Sequence, residues 1–240
     1  MKKRLDRVLC DQHPLWSRSY IQEIIHGGLV TVNGIVHTKS SYQVPESAVV
    51  ATAVTQAQFV GRAGHKLDHA LREFAISVQG LVAVDSGLST GGFTDCLLQH
   101  GAQHVYGVDV GTAQVHPAIA QDSRVTVLEQ TDLRDLVLDQ PVDVVTLDLA
   151  FISVLKVMHA VSQLIKTGGF LIVLIKPQFE VGKENVGSQG VVHNEHIRDE
   201  TVKKVIVGIE QHGFQFKKST TSPIEGKIGN TEYLAFFIRS

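Results

Sequence analysis

The stretch from Leu81 to Asp95, LVAVDSGLSTGGFTD, limits what this chain can fold into more than any other. Leu81 to Val84 is too short an apolar run for a helix and fits a buried parallel strand, closed by Asp85. Gly87, Gly91 and Gly92 then let the backbone turn tightly and approach a ligand. A helix is expected from near Phe93, with Ser89 or Thr90 able to cap it. Strand, glycine turn and helix in that order fit an open α/β sheet, the plainer alternative being a glycine loop that only turns the chain. Such sheets bind ligands beyond the carboxyl ends of their strands.

The next strand narrows the ligand. His104 to Val108 reads as extended, and Asp109 ends it. A carboxylate at the end of the second strand accepts hydrogen bonds from the ribose hydroxyls of a nucleoside. The turn does not read Gly-x-Gly-x-x-Gly, so the dinucleotide fingerprint is absent. Asp85 would repel a pyrophosphate and favour an ammonium group. A ligand with an amino-acid end and an adenosine end fits, and S-adenosylmethionine is such a ligand. A third strand over Val125–Leu128 brings Asp132 just beyond its end. Asp132 could meet the adenine amino group or equally cap the turn at Leu133.

The front of the chain reads as a separate module. Leu5, Val8 and Leu9 sit at helical spacing. Ser17 is placed to cap a second helix with the apolar stripe Tyr20, Ile21, Ile24 and Ile25. Leu29 to Val32, Asn33-Gly34 and Ile35-Val36 form a hairpin signal. Residues 1–60 carry a net +2 and the rest −4, a weak pointer to a polyanion at the front. The pattern Arg4-Leu5-Asp6, Ser17-Arg18, Ile24, Gly28, Val30-x-Val32-Asn33-Gly34 and Lys39 resembles a small RNA-binding domain. That domain occurs in a small-subunit ribosomal protein, in pseudouridine synthases and in bacterial tyrosyl-tRNA synthetases. The resemblance implies a basic face gripping the RNA backbone, for which Arg4, Arg7, Arg18 and Lys39 are the candidates.

Several classes are disfavoured. The longest apolar run, Phe170 to Ile175, is far short of a membrane span, so no membrane role is expected. The charged start at Lys2, Lys3 and Arg4 lacks the apolar core of a signal peptide. Two cysteines, Cys10 and Cys96, imply no disulfide framework and suit a reducing cytoplasm. No metal-ligand spacing stands out among 12 histidines, and no stable protein partner is implied.

Ahead of the first strand, a helix is expected over about 65–76, with Leu67, Ala70, Leu71 and Phe74 on one face. Lys66 sits in its first turn, against the helix dipole, a local conflict typical of a functional position. Val142–Leu147 reads as a fourth strand ending in Asp148, and Phe170–Ile175 as a fifth ending in Lys176. A helix over Ile152–Ile165 should stop at Gly168-Gly169, and Gln178–Val192 reads as a long loop over the sheet edge. A helix over His193–His212 and two last strands, Phe214–Thr221 and Tyr233–Ile238, complete the chain. Glu232 precedes the final strand.

These residues resemble the TlyA-type family of haemolysin-like proteins, which are ribosomal RNA 2′-O-methyltransferases, and more distantly the heat-shock ribosomal RNA 2′-O-methyltransferases. The motifs are Gly61-Arg62-Ala63-Gly64-His65-Lys66-Leu67, the Asp85–Asp95 turn, and Gly107-Val108-Asp109-Val110-Gly111. They continue with Asp148-Leu149-x-Phe151-Ile152-Ser153, Lys176-Pro177-Gln178-Phe179-Glu180 and Gly229-Asn230-x-Glu232. Ala150 departs from the family's usual serine, and Leu88 from its small residue. The resemblance implies a Rossmann-like seven-stranded class I methyltransferase domain over 61–240, behind a small α+β RNA-binding domain and linker over 1–60. It implies S-adenosylmethionine as cofactor, held by Asp85, Gly87, Ser89, Thr90, Gly91, Gly92, Phe93, Asp109 and Asp132. It implies a catalytic tetrad of Lys66, Asp148, Lys176 and Glu232, with Lys176 as base or electrostatic activator. Ribosomal RNA or ribosomal subunits are the implied substrate, a cytidine ribose the implied target, and no metal is required.

Two other classes remain to be weighed. Adenine-amino methyltransferases place an Asp/Asn-Pro-Pro-aromatic turn after strand four, where this chain has Asp148-Leu149-Ala150-Phe151. Cytosine C5 enzymes need a nucleophilic cysteine near a strand end, and Cys96 falls inside the first helix. A non-enzymatic lytic or binding protein would need an amphipathic or membrane-spanning element, and none appears in the sequence.

Overall fold

A computed structural model describes residues 2–14, 16, 18–53, 58–226 and 228–240. The chain divides into two compact units, Met1–Arg62 and Ala63–Ser240.

The first unit contains β1 (Lys3–Arg4), α1 (Leu5–Gln12), α2 (Arg18–His26), β2 (Val30–Val32), β3 (Ile35–Val36), β4 (Gln43–Val44) and β5 (Val50–Thr52). Leu5 and Leu9 of α1 meet Tyr20, Ile21, Ile24 and Ile25 of α2 over Val30, Val32 and Val44. The apolar stripes read from the sequence are therefore the faces that bury. β2 and β3 pair antiparallel as a hairpin, with Asn33 at φ 51° and Gly34 at φ 78°, and β5 adds to the other side of β2. Ser17, the expected cap of α2, lies outside the described residues.

The second unit opens with α3 (Ala63–Glu73), β6 (Val82–Ser86), α4 (Gly92–Gln99), β7 (His104–Val108), α5 (Pro117–Ala120) and β8 (Val125–Leu128). It continues with β9 (Val142–Leu147), α6 (Met158–Leu164), β10 (Ile165–Ile175), α7 (Pro177–Glu180), α8 (Glu195–Glu210), β11 (Phe214–Thr221) and β12 (Tyr233–Arg239). One seven-stranded sheet has the order β11-β12-β10-β9-β6-β7-β8. The five strands from β10 to β8 run parallel, and β12 pairs antiparallel with both β10 and β11. The fold is thus a Rossmann-like doubly wound sheet. The chain winds outward through β6, β7 and β8, then returns to lay β9 on the other side of β6. The strand order reverses there, so the carboxyl ends of β6 and β9 flank the crevice where such sheets bind ligands.

Central strands read as unbroken apolar runs because both faces are covered. Leu171 to Ile175 are all fully buried, as are Val144, Val145 and Leu147. One expectation fails here. Gly168-Gly169 does not end a helix: α6 stops at Leu164, and the glycines lie inside β10 at a register shift between Ile165 and Phe170. A glycine pair ends a helix and bulges a strand equally well, and the neighbouring strand decides between them. The loop after β10 also holds more structure than expected, the short α7 and a 3₁₀ turn at Lys183–Asn185.

Candidate active site

The turn after β6 is built on backbone conformations that side chains resist. Gly87 and Gly91 have φ of 90° and 95°, and Ser89 between them is held at 47°. Gly91 is the N-cap of α4 and no side chain caps the helix in its place, so neither Ser89 nor Thr90 plays the capping role. The cap comes from Asp85. Its carboxylate accepts the Thr94 hydroxyl at 2.7 Å and the Thr94 backbone N–H, and accepts the Thr146 hydroxyl of β9 at 2.9 Å. Asp85 is fully buried, so it acts on this edge by fixing α4 and β9 rather than by facing a ligand. Phe93 is likewise turned into the core, at 2% exposure, and offers the crevice only its backbone.

Burial pushes the Asp85 carboxyl up to about 6, against the pull of Thr94 and Thr146 and with a contribution from nearby Asp148. A raised carboxyl favours the fold most in its protonated form. That stability is fully present below the unfolded value near 4 and is lost as pH rises through 6. Asp85→Asn, which matches the protonated acid in shape, should remove this slope. Denaturant unfolding from about pH 4 to pH 8 should show wild type losing about 2 kcal/mol relative to the variant. Parallel pH profiles for the two proteins would refute the assignment.

Asp109 stands at the end of β7, next to this turn. Its Oδ2 accepts the Ser89 N–H and its Oδ1 the Gly111 N–H, each at 2.7 Å. Two backbone donors fix the carboxylate's direction and leave each oxygen a further lone pair. Val110 follows, 72% exposed, an apolar surface beside the carboxylate that the sequence reading did not single out. Asp132 behaves as a cap: it accepts the Arg134 N–H at 2.9 Å, and both its oxygens engage the Arg134 guanidinium. That guanidinium holds the Asp132 carboxyl at about 2. The adenine-facing role expected of Asp132 gains no support from this arrangement.

The four charged residues at strand ends come together in two pairs. Lys176 Nζ lies 2.6 Å from Asp148 Oδ1. Lys66 on α3 pairs with Glu232, and both are buried, at 5% and 3% exposure. The sheet register links the pairs. Ile175 of β10 faces Tyr233 of β12, so one step past that pair come Lys176 and Glu232. Asp148 follows Leu147 of β9 and donates its N–H to the Ser86 carbonyl at 2.9 Å. From β12 across β10 and β9 to β6 and β7, one sheet edge therefore carries Glu232, Lys176, Asp148, the glycine turn and Asp109. Buried lysines are rare without partners, and each here has its own carboxylate.

Two residues beyond this set stand out. Phe151 is 92% exposed and held at φ 65°, a strained conformation for a bulky residue. Its ring lies 5.3 Å from that of Phe179, in the loop after β10. Glu180 ties the same two loops by accepting the Val154 N–H at 2.9 Å. The signal in the sequence was an aromatic in each of two motif loops, but strain and exposure are properties of the folded backbone. Among the described residues, one group of possible metal ligands gathers: Asp68, Cys96 and His100. Asp68 already pairs with His100 at 2.8 Å and with Arg72 at 3.0 Å, which braces α3 against α4.

In the first unit, Arg4 and Arg18 converge on Asp6, which is wholly buried. The Arg4 guanidinium holds the Asp6 carboxyl at about 2. Both arginines stay partly exposed, at 41% and 61% of their side chains. Arg7 and Lys39 are exposed. The loop carrying Lys39 is tied to the start of α1, through Leu5 N–H to Tyr42 and Asp6 N–H to Ser40. Arg4, Arg18 and Lys39 thus gather around one helix N-terminus.

A doubly wound sheet with a glycine turn, a ribose-type carboxylate and antiparallel edge strands defines the methyltransferase class. Comparison with known proteins agrees. Residues 59–239 match the FtsJ-like methyltransferase family and residues 3–50 match the S4 domain. This chain belongs to the FtsJ-like methyltransferase family and carries an S4 domain in front. It is 37% identical over 239 residues to Hemolysin A of Brachyspira hyodysenteriae, covering 98% of this chain and 99% of that one. It is 38% identical over 237 residues to the 16S/23S rRNA (cytidine-2′-O)-methyltransferase TlyA of Mycobacterium tuberculosis, covering 97% and 88%. A solved hemolysin-like protein of Streptococcus thermophilus superposes with a TM-score of 0.79 at 33% identity, covering 100% of this chain and 89% of that one.

Proposed function

We propose that this protein transfers the methyl group of S-adenosylmethionine to a ribose 2′-hydroxyl of ribosomal RNA, with a cytidine as target. The observation that carries the reading is the pairing of Lys176 with Asp148 and of Lys66 with Glu232 at one sheet edge, beside the glycine turn. The names of the relatives in the preceding comparison point the same way. The residues present fit the cofactor: Asp109 offers two oriented oxygens to a ribose, Val110 an apolar surface to a base, and the first turn of α4, where Asp85 takes the Thr94 N–H, the backbone N–H groups of Gly92 and Phe93. When bound, S-adenosylmethionine supplies an electrophilic methyl on sulfur.

The protein's own groups do the rest. A ribose hydroxyl is a poor nucleophile and needs its proton withdrawn as it attacks. Lys176, acting from its neutral amine form, takes that proton as the hydroxyl oxygen bonds to the methyl carbon and the sulfur leaves, and Asp148 at 2.6 Å fixes the amine and stabilises the charge it gains. Glu232, which like Lys176 lies one step past the Ile175–Tyr233 pair, holds Lys66, so this cation is placed without being left unpaired. Phe151, exposed at the same edge, gives a base a face to stack on. Base methylation at C5 gains no support, because Cys96 is fully buried and burial pushes its thiol up, away from the thiolate. A lytic role gains none either, since no helix among the described residues is long and apolar enough to cross a membrane.

Calorimetric titration tests the cofactor half. Asp109→Ala should weaken S-adenosylmethionine binding by about 100-fold, the loss of two charge-assisted hydrogen bonds. Unchanged affinity would remove the ribose assignment. The front unit is assigned RNA affinity and no chemistry. A chain beginning at Ala63 should bind ribosomal RNA more weakly than the full chain, and with a shallower salt dependence, because phosphate contacts release counterions. Equal affinity and slope would sink that division of labour.

A further inference from the structure

The Gly229-Asn230-x-Glu232 motif contains a residue that the proposed chemistry leaves unused. Asn230 is 1% exposed, and a buried amide must have both its ends bonded. Its Oδ1 accepts the Val192 N–H at 3.0 Å and its Nδ2 donates to the Gly190 carbonyl at 2.9 Å. Both partners lie at the far end of the long loop after β10. That end is itself a closed turn: Gly187 N–H donates to the Val191 carbonyl at 3.0 Å, and Gly190 N–H to the Gly187 carbonyl at 2.8 Å. Val192 is buried as deeply as Asn230.

On its own strand side, Asn230 accepts the Gly226 N–H at 2.8 Å through its carbonyl. Gly226 backs onto Glu232 so closely that a Cβ there would meet Glu232 Oε1 at 2.4 Å. Glu232 also accepts the Ser222 N–H at 2.8 Å through its carbonyl and holds Lys66 through its side chain. An unbroken series of contacts therefore runs from the 187–192 turn through Asn230 to Glu232 and Lys66. An amide serves a carbonyl and an N–H at once, as a peptide group does. Aspartate serves only the N–H, and alanine serves neither.

We propose that Asn230 is a positioning residue: it locks the 187–192 turn to the Glu232 loop, and so sets the Glu232–Lys66 pair for methyl transfer. This rests on the function proposed above. The two can fail separately, because the lock itself is read without substrate.

The test uses the full chain with Asn230→Ala and Asn230→Asp. Amide hydrogen exchange reads the lock, calorimetry reads cofactor affinity, and single-turnover and steady-state kinetics read chemistry. In Asn230→Ala, amides of 187–192 should exchange at least about tenfold faster, and kcat should fall about 100-fold with KM for RNA nearly unchanged. Cofactor affinity should stay within about threefold, because the ribose carboxylate lies on β7. Asn230→Asp keeps the Val192 bond and should give a smaller acceleration of exchange at Val192. If Asn230→Ala does not fold, Asn230→Asp is judged by the same readouts. Unchanged exchange in 187–192, or a kcat within about threefold of wild type, overturns the proposal. So does a loss of cofactor affinity that matches the loss of kcat. If wild type methylates no ribose, the proposed function fails, and exchange alone still decides whether Asn230 is the lock.

Discussion

Replacing Lys176 by alanine should lower the single-turnover rate of methyl transfer by about 10³-fold or more, with S-adenosylmethionine affinity within about threefold of wild type. The reason is geometric. Lys176 closes β10, its amine sits 2.6 Å from Asp148, and its side chain is 12% exposed. Asp109, which is assigned the cofactor ribose, lies three strands away in the sheet order. Removing the amine therefore strips the nucleophile of its proton acceptor and leaves the cofactor contacts in place. Lys176→Arg separates charge from proton transfer. A guanidinium can pair with Asp148 and preserve local charge, yet it does not exchange a proton near neutral pH. It should fold as well as wild type and be nearly as inactive as Lys176→Ala. A Lys176→Arg enzyme with more than about a tenth of wild-type activity would mean that the lysine acts by charge alone.

Gly87→Ala should have the second largest effect, and for a different reason. Gly87 has φ of 90°, where a side chain is strained, and a Cβ built there would meet the Asp148 carbonyl oxygen at 2.3 Å and its carbon at 2.8 Å. The obstacle is backbone and cannot swing aside. Either the end of β6 or the end of β9 must move, and β9 carries the partner of Lys176. The strain of the left-handed conformation alone costs about 1–3 kcal/mol, and the clash adds to it. Unfolding in denaturant should show a loss of about 3 kcal/mol or more, and methyl transfer by the folded fraction should fall at least about 100-fold. Gly34→Ala is the control: it has φ of 78° and open space around it, so only the conformational strain remains. Equal destabilisation by the two substitutions would show that the close approach at Asp148 is unimportant.

The sheet was legible because its central strands are buried on both faces. Val142–Leu147 has the ends that its apolar run indicates, and so does Val125–Leu128, although it lies at the sheet's edge and is only half-buried. The helix stripe Leu67, Ala70, Leu71 and Phe74 buries as its spacing demands. What the sequence could not carry was long-range. Lys66 and Glu232 are separated by 166 positions, and only the register of β10 on β12 brings the two ion pairs to one edge. Local patterns misled where two structures share one signature. Ser89 and Thr90 look like helix caps, but the cap is Asp85, reaching from the neighbouring strand. The same distance hid the burial of Phe93 and Asp85, both of which read as ligand contacts in a glycine turn. Phe151 was visible as a motif aromatic, while its positive φ and its exposure are properties of the folded backbone that no local pattern carries.

Locating the methyl group decides between ribose and base chemistry. Ribosomal RNA lacking the modification is incubated with the protein and S-adenosylmethionine, digested to nucleosides, and analysed by mass spectrometry that separates ribose from base methylation. Wild type should make one 2′-O-methylnucleoside, a 2′-O-methylcytidine, that is absent with Lys176→Ala. A methyl group on the base, or a 2′-O-methylnucleoside formed equally by Lys176→Ala, would contradict the proposed chemistry.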